Sequence, residues 1–426
     1  MKRFVAILTA LLILMLCGCK SAENYVSDFN GFVKDKIGSA YDEVTEKAEQ
    51  IGEEISSIFT KEYVYKYEIV TIKPQQINDA RLLAYNKLNK NQKQLYSIFI
   101  TAFENMELKR INITDYVGDN VFDDASIAHR AVLCDRPDIF WAPKTFSLLT
   151  FKNSKNTYIQ FVKDGEKDYY GITKAEKQKM QSELNAILDK VLADISSIDS
   201  VFEKELYIHD YICNCVTYDD AAAEDIKNAD MNTLSAYGAL VTGSAVCEGY
   251  SRAFELLCTK SGIPCNVVLG EHEGTPHMWN IVDLDGALYY VDLTFDDSSS
   301  VSVLHTYFNT TKSDMLDDHI FYDNLSQNKK TEDFDRINFY NENCESNELN
   351  YFIKKGLFIT EDCSEAITAL IKEKQAGKNS AELKNLTSRS ADNAFMLLMR
   401  KARGFINFDY YYRSENENTI IAVWKN

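Results

Sequence analysis

A turn signal between two alternating segments constrains the fold of this chain more than any other feature. In residues 277–295, HMWNIVDLDGALYYVDLTF, apolar and polar side chains alternate on both sides of Asp285-Gly286. That dipeptide is typical of the two-residue type I′ turn that joins antiparallel strands. A two-residue loop pairs Leu284 with Ala287 and so fixes the register of the whole hairpin.

This register makes a prediction about polar residues far from the turn. It places His277 opposite Thr294 and Trp279 opposite Asp292. His277 and Trp279 are two residues apart and share a face, so Asp292 lies diagonally across from His277 on that face. Diagonal neighbours are about 7–8 Å apart at Cα, within reach of a hydrogen bond between Asp and His side chains.

A second segment places a cysteine at the start of a predicted helix. In GSAVCEGYSRAFELL, residues 243–257, Ser244 is a candidate N-cap and Cys247 falls in the first turn. Gly262 stands where a helix of this length ends. The apolar residues at helical spacing are Tyr250, Phe254, Leu257 and Cys258. Unpaired N–H groups at a helix start favour a thiolate, but a lone cysteine there is not specific, and taken alone it favours a buried structural thiol.

Together, the two segments supply three complementary chemical roles. A cysteine nucleophile needs an imidazole that accepts its proton and later protonates the leaving group. The imidazole needs a carboxylate that orients it and stabilises its cation. Cys247, His277 and Asp292 provide this set.

The motifs resemble the transglutaminase-like core of the papain-like thiol-enzyme superfamily. The resemblance covers residues 209–297 and rests on the segments CEG, GIPCNVVLGE, HMWN and VDLTFDD, preceded by IHDYICNCVTYDD. It implies an α+β fold with the nucleophile helix packed on an antiparallel sheet. Leu293 and Phe295 depart from the family, in which Pro and Trp are frequent at these positions.

The resemblance also implies roles for individual residues. Cys247 is the nucleophile, His277 the general base and acid, and Asp292 the residue that orients His277. The backbone N–H of Cys247 is one oxyanion donor, and Tyr218 is the candidate for a second. Trp279 either forms a wall of the substrate cleft or packs in the core.

The predicted function is that of a thiol enzyme which acts on amide bonds of proteins or peptides through a thioester. Attack by water makes it a protease or amidase, and attack by an amine makes it a transglutaminase; hydrolysis is favoured. The alternative is a non-catalytic binding or scaffold protein of the cell surface on the same fold. No cofactor or metal is predicted, because a metal hydrolase using His272 and His277 would leave the cysteine unexplained.

The N-terminus indicates export. Lys2 and Arg3 precede an apolar run that is short for a membrane span, followed by Leu16-Cys17-Gly18-Cys19. This resembles a bacterial lipoprotein signal, which predicts acylation of Cys19 and a lipid anchor on the outer face of the bacterial cell membrane. The predicted divisions are a signal peptide (1–19), a polar helical spacer (20–60), an α/β region (61–185), the catalytic domain (186–345) and a small α/β domain (346–426).

Composition excludes some partners. The formal net charge is −18, whereas a nucleic-acid surface needs an excess of Lys and Arg. The ten cysteines show no disulfide framework, and Cys213-Asn214-Cys215 lacks the second pair of a zinc site. Buried thiols are expected instead. The histidines 129, 209, 305 and 319 are interpreted as surface or core residues.

Overall fold

The computed structural model describes residues 68–118, 120–150, 156–161, 172–297, 303–323, 337–413 and 418–425. The chain divides into two units, Met1–Ile69 and Val70–Asn426, and all described residues except 68 and 69 belong to the second. The predicted signal peptide and spacer, with Cys19, lie outside the described residues. In the described part of the chain, no helix is both long and apolar enough to span a bilayer.

The first region of this unit combines two long helices with a small sheet. Its helices are α1 (Leu83–Asn86), α2 (Lys90–Asn105) and α3 (Val121–Asp135). Its strands are β1 (Ile69–Val70), β2 (Arg110–Asn112), β3 (Ser147–Thr150) and β4 (Thr157–Gln160), in the order β1-β2-β4-β3. A reciprocal capping box between Asn89 and Gln92 starts α2.

Two amphipathic helices follow close to where the sequence predicts them. Apolar residues at helical spacing predict helices over 174–198 and 202–213, and these are observed as α4 (Lys174–Ile195) and α5 (Val201–Cys215). Both begin at hydroxyl caps: Thr173 accepts from the Glu176 N–H, and Ser200 accepts from the Glu203 N–H. Their apolar faces enter the largest hydrophobic cluster.

The central part packs one helix on an antiparallel sheet. Two short strands, β5 (Thr217–Tyr218) and β6 (Ser244–Ala245), run parallel, with α6 (Asp220–Glu224) between them in sequence. They lead into α7 (Cys247–Lys260). The sheet has the order β10-β7-β8-β9. Its strands are β7 (Cys265–His272), β8 (Thr275–Leu284), β9 (Ala287–Val291) and β10 (His319–Phe321). The short helices α8 (Leu293–Asp296) and α9 (Lys312–Met315) lie between β9 and β10 in the chain.

The C-terminal residues form a third four-stranded sheet with helices. The elements are α10 (Tyr351–Lys355), β11 (Phe358–Ile359), α11 (Ser364–Gln375), β12 (Ser380–Asn385), α12 (Ala391–Lys401), β13 (Phe408–Arg413) and β14 (Thr419–Trp424). The segment YFIKKGLFIT, residues 351–360, has a sequence typical of a strand, but it contains α10 and the short β11. Apolar residues of this part share one cluster with α4, α5 and α7.

Candidate functional site

The nucleophile candidate opens its helix, although the cap differs from the prediction. Cys247 is the first residue of α7, and the N-cap is Val246, which offers no side-chain acceptor. Ser244, the expected cap, lies in β6, where its hydroxyl donates to Asp219 at 3.1 Å. No N-cap side chain therefore accepts from the N–H groups of the first turn. These groups point toward the N-terminal end of α7, where Cys247 lies.

Both ends of α7 are fixed by glycines. Beyond the C-terminal end, Gly262 has φ +90°, and the Ile263 N–H donates to the Cys258 carbonyl at 2.8 Å, as in a Schellman motif. Near the start, a Cβ on Gly249 would lie 2.6 Å from the Thr233 carbonyl oxygen. Only glycine at position 249 lets the first turn pack this closely against the preceding segment.

The hairpin has the predicted register. Leu284 pairs with Ala287 around Asp285 and Gly286, which both have positive φ angles of 55° and 90°. These angles are those of a type I′ turn.

The ladder ends earlier than the prediction assumes, at Asn280 opposite Val291. Thr294 does not face His277, because it lies in α8, whose N-cap is Asp292. The Asp292 Oδ1 atom accepts the Thr294 N–H at 2.9 Å. The carboxylate that caps this short helix is still on the His277 side of the sheet.

The imidazole and the carboxylate form a close pair. His277 Nε2 lies 2.6 Å from Asp292 Oδ2, and both side chains are buried. Burial opposes the positive charge, but the Asp292 carboxylate and a hydrogen bond with Cys247 raise the pKa of His277 to about 10. Burial likewise opposes the negative charge, but His277 and His319 hold the pKa of Asp292 below its usual range. The pair is therefore an imidazolium beside a carboxylate near neutral pH, and the Cys247 thiol lies near enough to contribute to the raised pKa of His277.

A second histidine shares the carboxylate, and sequence reasoning missed it. His319 Nε2 lies 3.1 Å from the same Asp292 Oδ2, and its other ring nitrogen contacts Asp318. His319 was interpreted only as a surface or core residue. It reaches Asp292 because β10 pairs with β7, with His319 opposite His272. A three-residue edge strand distant in sequence carries no pattern that would have shown this pairing.

Trp279 does not line an open cleft, which corrects one of its two predicted roles. Its side chain is entirely buried in a small core cluster. Its ring stacks on His277 with centroids 5.8 Å apart and planes inclined by 27°. His319 meets the indole edge-on at 5.0 Å. Trp279 is thus a buried support for the two imidazoles.

Tyr218 lies beside the start of the nucleophile helix. Its strand pairs with β6 so that Tyr218 is opposite Ala245, two residues before Cys247. Partial burial and the nearby negative charges of Cys247, Asp220 and Asp292 raise the pKa of Tyr218 to about 12. Its phenol therefore keeps its proton near neutral pH and remains a hydrogen-bond donor.

The first region contacts the nucleophile helix directly. Lys144 forms an ion pair with Glu248, the residue after Cys247. Arg252, one turn further along α7, donates to the Leu133 carbonyl. Cys247 itself packs at the edge of a hydrophobic cluster built mostly from this region. The thiol is consequently half-buried.

The remaining cysteines and His272 lie outside the Cys247, His277 and Asp292 group. All eight described cysteines are free, and Cys134, Cys213, Cys258, Cys265, Cys344 and Cys363 are buried. His272 packs on Phe295 at the end of β7, with ring centroids 4.5 Å apart.

In the described residues, two groups of side chains have ligand atoms close enough together to hold a metal ion. One group is His277, Asp292 and His319, and the other is His209, Asp210 and His305.

Comparison with known proteins agrees with this geometry. Residues 189–293 match the Transglutaminase-like superfamily, so the chain contains a transglutaminase-like domain. This match confirms the predicted resemblance and the α+β, papain-like fold class.

Similar proteins are related to only part of the chain. Kyphoscoliosis peptidase of Homo sapiens is 28% identical over 158 residues, 32% of this chain and 23% of that protein. The Mus musculus protein of the same name is 28% identical over 170 residues, 35% of this chain and 25% of that protein. This chain thus spans about a quarter of the length of these relatives. A crystal structure of a TGase aligns with 20% identity over 46% of this chain and 52% of that chain, at a TM-score of 0.25.

Proposed function

We propose that the chain is a thiol enzyme that cleaves amide bonds of proteins or peptides through a thioester. One observation supports the proposal: His277 pairs with Asp292 at 2.6 Å, and Cys247, which opens an uncapped helix, also raises the pKa of this imidazole. A cationic imidazole and a helix N-terminus both stabilise a thiolate. The non-catalytic alternative provides no reason for this arrangement.

The reaction follows from these positions. The Cys247 thiolate attacks the amide carbon, and the oxyanion is stabilised by the Cys247 N–H and the Tyr218 hydroxyl. The His277 imidazolium then protonates the amine as the C–N bond breaks, which leaves a thioester. Neutral His277 accepts a proton from the attacking water, and collapse of the second oxyanion releases the acid and restores the Cys247 thiolate beside the His277 imidazolium. Asp292 keeps the imidazole oriented throughout.

Activity on labelled glutamine peptides, with and without an added amine, tests the proposal. We expect acid release that depends on Cys247, with little transfer to the amine. Transfer as the main outcome would replace hydrolysis by transglutamination. No turnover, together with Cys247 alkylation by iodoacetamide only above about pH 8.5 and unaffected by His277→Ala, would leave the binding or scaffold role.

We further propose that the chain is exported and lipid-anchored through Cys19 on the outer face of the bacterial membrane. The charged start, the apolar run and the Gly18-Cys19 step support this proposal. Mass spectrometry of the N-terminal peptide from a bacterial membrane fraction tests it. We expect a diacylated Cys19 and a soluble product from Cys19→Ala; a cleaved, unmodified terminus would contradict it.

A further inference from the structure

Two imidazoles and a carboxylate converge at a second place, away from Cys247. His209 and Asp210 are neighbours on α5, and His305 lies in the segment after α8. Asp210 Oδ1 is 3.0 Å from His209 Nδ1 and 3.0 Å from His305 Nε2. These three atoms lie within 4.8 Å of one another. The proposed amide chemistry makes no use of them.

Each imidazole turns its other nitrogen toward a buried carboxylate. His209 Nε2 lies 3.2 Å from Asp296 Oδ2, and His305 Nδ1 lies 3.5 Å from Glu382 Oε2. Both carboxylates are fixed by further donors: the Tyr307 N–H at 3.0 Å for Asp296, and the His305 N–H at 2.8 Å for Glu382. Outer carboxylates of this kind orient metal-binding histidines and hold their tautomer.

The two ring nitrogens that face Asp210 are positioned either to share a cation or to carry a proton each. If each imidazole keeps its one proton on the nitrogen that faces Asp296 or Glu382, the nitrogen that faces Asp210 carries a lone pair. Two nitrogen lone pairs and a carboxylate oxygen would then repel one another. A metal ion between them removes this repulsion, and a second proton on each ring is the competing explanation.

We propose that His209, Asp210 and His305 bind a zinc ion, with Asp296 and Glu382 orienting the two imidazoles. Nitrogen and carboxylate ligands suit Zn²⁺, which takes four ligands in a tetrahedron. The Asp210 side chain is 41% exposed, so water can fill the fourth position and the ion has a route of entry. The ion would tie α5 to the His305 segment and, through Glu382, to β12. Its role is structural and does not depend on the thiol chemistry.

Metal analysis of the full chain tests the proposal. The protein is desalted after incubation with ZnSO₄ and measured by elemental mass spectrometry. We expect about one Zn²⁺ per chain, a higher Tm with Zn²⁺ than with EDTA, and tetrahedral Co²⁺ absorption bands when Co²⁺ replaces it. Asp210→Asn and His305→Ala should each abolish all three signals.

The variants His277→Ala and Cys247→Ala are the matched controls, because His277 belongs to the other group of potential ligands. They should retain the zinc. Zinc lost in His277→Ala but kept in His305→Ala would overturn the proposal. A wild-type chain that keeps no zinc and whose Tm ignores both Zn²⁺ and EDTA would also overturn it, in favour of doubly protonated rings. This last result needs no variant, so a misfolded variant cannot hide it.

Discussion

At the scale of single residues, one oxygen of Asp292 serves two imidazoles. Its Oδ2 faces both His277 and His319, while its Oδ1 accepts the Thr294 N–H. The carboxylate is held from three directions, so it can turn very little. A carboxylate fixed in this way orients His277 better than a freely rotating one, which is the role that the proposed mechanism needs.

Replacement of Asp292 removes the charge that stabilises the His277 cation. We expect Asp292→Asn to lower kcat on a cleaved peptide by about 10⁴-fold, the loss found when the carboxylate of a serine-protease triad is neutralised. Alkylation of Cys247 should also shift to higher pH, because the imidazolium beside it is weakened. Asp285→Asn is the matched control: the residue is exposed in the same hairpin, and Asn tolerates its positive φ. Equal activities of the two variants would remove Asp292 from the mechanism.

Replacement of His319 should affect catalysis through Asp292. His319→Ala removes a hydrogen bond to a buried charge, and we expect a loss of about 10-fold or more in kcat with KM little changed. His319→Gln keeps an N–H donor and should recover part of the loss. If His319→Ala only destabilised the fold, the fraction of active protein would fall and the pH dependence of kcat would stay unchanged. If His319 positions Asp292, the pH dependence of kcat should shift as well.

Stability should depend on pH through His277. Its pKa is about 10 in the folded chain and about 6.5 in an unfolded one, so the folded state holds the proton more tightly. The resulting stabilisation is complete below about pH 6.5 and is lost as the pH rises through about 10. Urea unfolding of wild type and His277→Gln should therefore give free energies whose difference shrinks over this window. A difference that grows with pH would contradict the cationic pair.

At the scale of elements, local chemistry decides what the sequence predicts well. The hairpin register follows from Asp285-Gly286, and the boundaries of α4 and α5 follow from caps and periodicity. The predicted N-cap of α7, Ser244, is wrong because this residue lies in β6 and pairs with β5. The contact of His319 with Asp292 depends on a strand pairing between distant segments, which no local pattern shows.

The hairpin turn itself can be tested. Gly286 has φ +90°, where a side chain is strained. We expect Gly286→Ala to lower the free energy of unfolding by about 1–2 kcal/mol. Asp285→Asn should change it by less than about 0.5 kcal/mol, since Asn accepts positive φ readily. Chemical denaturation of both variants provides the comparison, and an unaffected Gly286→Ala protein would show that the turn does not hold this register.

At the scale of the whole molecule, one hydrophobic cluster crosses the predicted boundary at residue 346. Phe308, before the boundary, and Phe352, after it, both lie fully buried in this cluster. The rings of His305 and Tyr351 stack with centroids 3.8 Å apart. The predicted small α/β domain from residue 346 therefore shares one hydrophobic cluster with the part of the chain before it.

Calorimetry can decide between one cooperative unit and two. If the shared cluster couples both parts, separating them exposes buried aromatic surface, and neither part is stable alone. We expect one transition, with equal calorimetric and van't Hoff enthalpies, and a chain ending at residue 345 that lacks cooperative unfolding. Phe352→Ala should shift the whole of this single transition to a lower Tm, because the cavity it creates destabilises both parts together. Leu386→Ala, at an exposed site in the same region, is the control. Two transitions, only one of which moves with Phe352→Ala, would establish the small C-terminal domain as an independent unit.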